Sequence, residues 1–170
     1  MKNRVFATTL LTTAALALGS CEQTAPPATP AFNVVEASIP DMQKAMEDGR
    51  VTSEEIVRQY LIRIATYENT INAAIAVNPR ALEQARALDA ERKAGKVRGP
   101  MHGIPVALKD NIQDTDMPTT GGTIGLEGYM APWDAPLTAN LKAGGAIIIA
   151  KTTLSEFAGY FGQGAPGTYS

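Results

Sequence analysis

The sequence predicts an α/β fold, a mixed β-sheet flanked by α-helices, from three observations. Two short apolar runs, Ile104–Leu108 and Ala146–Ala150, have the length and composition of strands that are buried on both faces. A helical pattern at Ala135–Ala143 separates the two runs, with Leu137 and Leu141 four residues apart and a Gly-Gly stop after it. Strand, helix and strand in this order are typical of a crossover between parallel strands.

Two capping-box spacings mark the first two helices. Ser38 with Asp41, with a proline in the first turn, predicts the start of one helix, and Thr52 with Glu55 predicts the start of a longer one. Apolar residues at helical spacing follow both starts, so each helix has one face suited to a core.

A strand and a third helix complete this half of the chain. Ala73–Val77 is a short strand candidate. Asn78 is expected to cap the third helix, with Pro79 at its first position and Gly95 at its end. We interpret all three helices as scaffold and not as site.

Composition narrows the classes of function. The 170 residues suffice for one ordinary domain, and 45% are hydrophobic and 19% charged, as in soluble globular proteins. A net charge of -2 gives no electrostatic case for binding nucleic acid. A single cysteine excludes an internal disulfide, and a single histidine beside it argues against a zinc site. We therefore expect neither a metal nor a cofactor.

The first 21 residues have the pattern of an export signal. Lys2 and Arg4 form a positive start, and Val5–Leu18 forms an apolar core that is short for a membrane span. The Leu-Gly-Ser-Cys that ends at Cys21 resembles the bacterial lipoprotein signal. That resemblance implies lipidation of Cys21, whereas the alternative is an ordinary cleaved signal peptide.

The expected layout is a signal with its lipidation site at 1–21, a flexible tether at 22–37 and a globular domain at 38–170. The protein would then be exported and held by an N-terminal lipid on the periplasmic or extracellular side of a membrane. The last residues form a Gly-rich loop that closes nothing. We therefore expect the domain to be truncated.

A lysine directly follows each of the two apolar runs, Lys109 after the first and Lys151 after the second. Open α/β sheets place their chemistry at such carboxyl ends. Each lysine is either a solvated residue that begins a loop or a desolvated base, and the strand pattern alone treats the two alike. His102 is expected to be a structural loop residue. Residues 145–152 approach a phosphate-loop motif, but three consecutive isoleucines are typical of a strand, so nucleotide binding is rejected.

Longer motifs carry a resemblance. Residues 99–112 read Gly-Pro-Met-His-Gly-Ile-Pro-Val-Ala-Leu-Lys-Asp-Asn-Ile, residues 117–123 read Met-Pro-Thr-Thr-Gly-Gly-Thr, and residues 134–158 begin Asp-Ala-Pro-Leu-Thr-Ala-Asn-Leu and end Lys-Thr-Thr-Leu-Ser-Glu-Phe-Ala. This collinear set closely resembles the amidase signature family. The resemblance implies an α/β fold with a mixed sheet between helices, and hydrolysis of carboxamides by a Ser, cis-Ser, Lys triad.

The resemblance also assigns residues. Lys109 matches the catalytic lysine of the family's Lys-Asp-Asn motif. Asp110 and Asn111 are assigned to structure or to orienting Lys109, and Lys151 is treated as structural. Thr153 stands where many relatives have Asn, which is a mild departure.

One departure is larger. The family's Gly-Ser-Ser-Gly-type segment carries the nucleophile, and none of the 170 residues form it. The cis-Ser is missing as well, so we expect these residues alone to be inactive. Two alternatives to an amidase stay open, namely a protein of the amidotransferase-subunit type, acting with glutamine and tRNA, and an inactive truncated lipoprotein. The expected partners are a small-molecule or peptide amide and a membrane; the oligomeric state is left open.

Overall fold

The computed structural model describes residues 31–159. Two helices come first along this part of the chain, and strands and helices then alternate, as the sequence predicts. They are α1 (Ile39–Glu47), α2 (Ser53–Ile71), β1 (Ala74–Val77), α3 (Ala81–Lys93), β2 (Pro105–Lys109), α4 (Pro136–Ala143) and β3 (Ile147–Thr152), with 3₁₀ turns at Ile124–Leu126 and Glu156–Gly159.

The strands form a mixed sheet in the order β1-β3-β2. β2 and β3 are parallel and are joined through α4, whereas β1 runs antiparallel to β3. Ile147 and Ile149 pack with residues of α2 and α3, and Ile148 packs on the other face with Leu108 and with Leu141 of α4. The predicted α/β fold with a mixed sheet between helices is therefore confirmed.

The helix starts agree in part with their sequence signals. At α1 both bonds of the capping box form, since Ser38 Oγ accepts from the N–H of Asp41 and the Ser38 N–H donates to Asp41 Oδ2 at 2.9 Å. At α2 the Thr52 hydroxyl accepts from the N–H of Glu55 at 3.1 Å. Each side chain satisfies an N–H that the helix itself leaves unbonded.

Helix α3 starts later than predicted. It begins at Ala81, not after a cap at Asn78, because the Asn78 side chain is used elsewhere. Its Nδ2 donates to the carbonyl of Ile148 at 2.7 Å, and its Oδ1 accepts from the N–H of Arg80 at 2.8 Å. Asn78 therefore ties the turn before α3 to the central strand.

The prediction of two strands buried on both faces is right for β3 and wrong for β2. Ile147 to Lys151 of β3 are all buried, and β3 extends to Thr152, so that Lys151 lies inside the strand. In β2 only Leu108 is buried, while Ala107 and Lys109 are exposed. The reason is the strand order, because within residues 31–159 β3 has a neighbour on both sides and β2 has one.

The packed domain begins before Ser38, inside the segment 22–37 predicted as a tether. Val34 is 4% exposed and belongs to the core cluster of α1. Gln59 of α2 accepts from the Val34 N–H at 3.1 Å and donates to the Phe32 carbonyl at 3.0 Å. The predicted signal, its Cys21 and the rest of the tether lie outside the described residues. No helix within residues 31–159 is long and apolar enough to cross a bilayer.

Candidate active site

Lys109 is the last residue of β2, opposite Thr152 of β3. Side chains alternate along a strand, so Lys109 shares a face with Ala107, and both residues are exposed. Within residues 31–159 no side chain forms a hydrogen bond or an ion pair with the Lys109 ammonium. The lysine therefore stands at the carboxyl end of its strand with its amino group available.

Lys151 has the opposite environment. Its side chain is 0% exposed, and its Nζ lies 2.9 Å from Asp110 Oδ1, in a carboxylate that is also 0% exposed. Nζ donates further to the Pro118 carbonyl at 3.1 Å and to Thr119 Oγ1 at 2.9 Å. An ammonium has three donors, and all three are used, so Lys151 Nζ has no donor left for another partner.

Asp110 joins the sheet to the loop at 118–123. Its Oδ2 accepts from the N–H of Thr120 at 2.9 Å and from the Thr120 hydroxyl. Its backbone N–H donates to the Thr152 carbonyl at 3.1 Å, and its carbonyl accepts from Gly121 at 3.1 Å. The one residue thus holds β2, β3 and the loop together directly after Lys109.

The two lysines that the strand pattern treats alike are therefore different in the structure. Lys151 is enclosed and paired, and Lys109 is exposed. Asn111 is exposed in the turn that follows β2, where the Ile112 N–H donates to the Lys109 carbonyl at 2.9 Å. No local sequence signal separates the two lysines, because the pairing of Lys151 depends on the burial of Asp110, 41 residues away in sequence.

His102 is 1% exposed and has partners on both ring nitrogens. Nδ1 accepts from the Arg98 N–H at 3.3 Å, and Nε2 lies 3.0 Å from the Leu88 carbonyl, to which it donates in that tautomer. The imidazole therefore links α3 to the loop before β2, in keeping with the structural role predicted for it.

We predict that Gly145→Ala destabilises the domain, because Gly145 lies directly against His102. Gly145 has φ +86, and a Cβ there would lie 2.8 Å from His102 Cα. The left-handed backbone alone costs about 1–3 kcal/mol for a residue with a side chain. Gly99→Ala is the matched control, since its nearest contact would be an ordinary 3.9 Å. Thermal unfolding of both variants is the measurement, and equal midpoints would contradict the prediction.

A second charged cluster, which the sequence analysis missed, surrounds Lys142 of α4. Its Nζ lies 2.6 Å from Asp114, 3.0 Å from Asp116 and 3.0 Å from Asp134. Burial opposes the charge of Lys142, but the three carboxylates outweigh it and raise its pKa. Burial raises the pKa of Asp134, because it disfavours the charged carboxylate. Hydrogen bonds from Thr115 and Lys142 lower this pKa by more, so that it lies below the ordinary 3.8. The cluster fastens the loop after β2 to α4.

We predict that Lys142→Met lowers the free energy of unfolding by about 2 kcal/mol at pH 7, the scale of hydrogen bonds to charged groups. The folded state holds the pKa of Asp134 below its ordinary 3.8, so the ionised carboxylate stabilises the fold above pH 3.8. This contribution is lost as the pH falls below 3.8. The difference in free energy of unfolding between wild type and Lys142→Met should therefore become smaller below pH 3.8. Denaturant unfolding across this range tests it, and a constant difference would contradict it.

Comparison with known proteins gives the family. Residues 55–166 match the Amidase family model, and the chain belongs to this family. It is 44% identical over 122 residues to a subunit of the glutamyl-tRNA(Gln) amidotransferase of Rhodopirellula baltica, covering 71% of this chain and 24% of that protein.

Solved structures agree with the family and the fold. The native peptide amidase of Stenotrophomonas maltophilia is 42% identical with a TM-score of 0.69, covering 72% of this chain and 26% of that one. An amidase family protein of Bacillus anthracis is 39% identical with a TM-score of 0.69, covering 72% and 25%. The chain thus spans about a quarter of the length of these relatives. The predicted amidase family membership is confirmed.

Proposed function

We propose that this chain is the lysine-bearing part of an enzyme that hydrolyses carboxamides with a Ser, cis-Ser, Lys triad. One observation carries the proposal: of the two strand-end lysines, Lys151 has all its donors engaged by buried partners, and Lys109 has an available amino group at the carboxyl end of its strand. Membership of the Amidase family supports the reaction class.

The proposed chemistry starts from the neutral form of Lys109. Its amine takes the proton of the bridging cis-Ser, which takes the proton of the nucleophilic Ser as that oxygen attacks the amide carbonyl. Backbone N–H groups stabilise the oxyanion, and the lysine proton then passes back to the departing ammonia or amine. Water releases the acid from the acyl-serine. These 170 residues contain neither the Gly-Ser-Ser-Gly-type segment expected to carry the nucleophile nor the cis-Ser, so we propose that the residues alone are inactive.

The proposal is tested by measuring ammonia release from a panel of aliphatic, aryl and peptide amides. The similarity to a peptide amidase makes C-terminally amidated peptides the first substrates to assay. The intact protein, including any segment that follows Ser170, is expected to release ammonia from at least one class, and the 170 residues alone from none. An inactive intact protein would contradict the proposal.

A second candidate is an amidotransferase component that transfers ammonia from glutamine to a tRNA-bound substrate. The observation that favours it is the 44% identity to the amidotransferase subunit of Rhodopirellula baltica. Ammonia release from glutamine that requires tRNA and partner proteins would establish this candidate. Release from amides by the purified protein alone favours the simple amidase.

We also propose that the protein is exported and anchored through a lipid on Cys21. The Leu-Gly-Ser-Cys segment supports this proposal. Cys21→Ser is expected to move the protein from the membrane fraction to the soluble fraction, because acyl chains provide the anchor. Fractionation of cells that express both forms is the measurement, and an unchanged membrane fraction would contradict lipidation.

A further inference from the structure

A buried carboxylate lies immediately after the proposed base. Asp110 follows Lys109 directly, and the Cα atoms of consecutive residues are about 3.8 Å apart. Asp110 is 0% exposed, so water screens its charge poorly. An unneutralised carboxylate on the neighbouring residue would favour the ammonium form of Lys109 and oppose its action as a base.

Lys151 supplies the neutralising charge. It is the one titratable residue of β3, the strand that packs against β2, and its Nζ lies 2.9 Å from Asp110 Oδ1. The acidic groups further along the loop, Asp114 and Asp116, pair with Lys142, and Asp116 pairs with Arg80 as well. Further titratable groups on segments that bond to this loop are Arg80, Tyr129, Asp134 and the half-buried Glu156, the last in the 3₁₀ turn next to Gly121.

We propose that Lys151 and Asp110 are positioning residues for Lys109: the buried pair fixes the strand end that carries Lys109 and keeps the charge beside it neutral. This inference rests on the proposed role of Lys109 as the base. The pair acts in two ways, through the hydrogen bonds that hold residues 118–121 to the sheet and through the cancellation of the Asp110 charge by Lys151.

Stability alone is a weak reason for such a pair. Two charges removed from water lose about as much in hydration as they gain from each other, and well-packed apolar residues often stabilise a core equally well. A carboxylate at 110 does what an apolar residue cannot, because it accepts from the Thr120 N–H and hydroxyl at the loop. Lys151 then allows that carboxylate to stand beside the base.

The test is the pH profile of kcat/KM in the intact protein on its best amide substrate. The acidic limb reports deprotonation of the base, because only neutral Lys109 accepts a proton. Lys151→Met leaves the Asp110 charge unbalanced, so the limb is expected to move to higher pH by about one unit. Lys151→Met combined with Asp110→Asn removes both charges, and its limb is expected at the wild-type position.

Lys44→Met is the control, since it removes an ammonium that pairs with Asp48 within α1 and should leave the limb in place. An acidic limb of Lys151→Met at the wild-type pH would overturn the inference. A shifted limb in the double variant would overturn it too, because both variants lose the Lys151 hydrogen bonds and only the single variant leaves the Asp110 charge unbalanced. If Lys151→Met does not fold, a shifted limb in the double variant overturns it. An inactive wild-type protein overturns the proposed function itself, which separates the two failures.

Discussion

Lys109→Ala is expected to reduce turnover of the intact protein by about 10³-fold or more, the scale of a lost general base. The fold should survive, because the Lys109 side chain is exposed and has no hydrogen-bond or ion-pair partner within residues 31–159. Kinetics on a primary amide and thermal unfolding of the same sample measure the two effects separately. Turnover close to that of wild type would refute the assignment.

Lys109→Arg distinguishes a base from a charge. The guanidinium keeps the positive charge and most of the length of the side chain, but it does not deprotonate in proteins. The arginine variant is therefore expected to be as inactive as the alanine variant. Substantial activity in Lys109→Arg would show that the residue acts by its charge, for example by orienting the substrate, and not by taking a proton.

Lys151→Ala is expected to have the largest effect on stability, lowering the free energy of unfolding by about 3–5 kcal/mol. The substitution leaves the buried Asp110 carboxylate without its counter-charge and removes three hydrogen bonds from Nζ. Urea unfolding at neutral pH is the measurement.

Two further variants make that prediction specific. Lys44→Ala removes an exposed i,i+4 partner of Asp48, and it should leave the unfolding midpoint unchanged because such pairs contribute little. Lys151→Met with Asp110→Asn should recover most of the loss, since no charge stays buried. If Lys151→Ala is as harmless as Lys44→Ala, the buried pair has no structural role.

Local signals in the sequence predicted the helices and strands well, and non-local packing explains what they missed. The Ser38 capping box and the helix between the two apolar runs depend on residues within a few positions of each other, and both are present in the structure. Burial of a strand depends instead on its place in the sheet. The apolar run at 104–108 therefore gave no indication that β2 would have one neighbour within residues 31–159 and expose Lys109.

The candidate site was predicted unevenly for the same reason. The resemblance around Lys109 named the residue, but the partner of Asp110 lies 41 residues away in sequence, and nothing local indicates it. The cluster around Lys142 escaped prediction because its carboxylates come from Asp114 and Asp116, on the loop after β2, and from Asp134, just before α4. Such pairings appear only once the crossover brings the segments together.

The central claim, that Lys109 is the base for a serine nucleophile, is tested most directly by labelling with a fluorophosphonate, which phosphonylates activated serines. The intact protein is treated with the reagent, and the modified peptide is identified by mass spectrometry. The account predicts one adduct, on a single serine of the intact protein, and its loss in Lys109→Ala. No adduct on the intact protein, or equal labelling of the two forms, would contradict it.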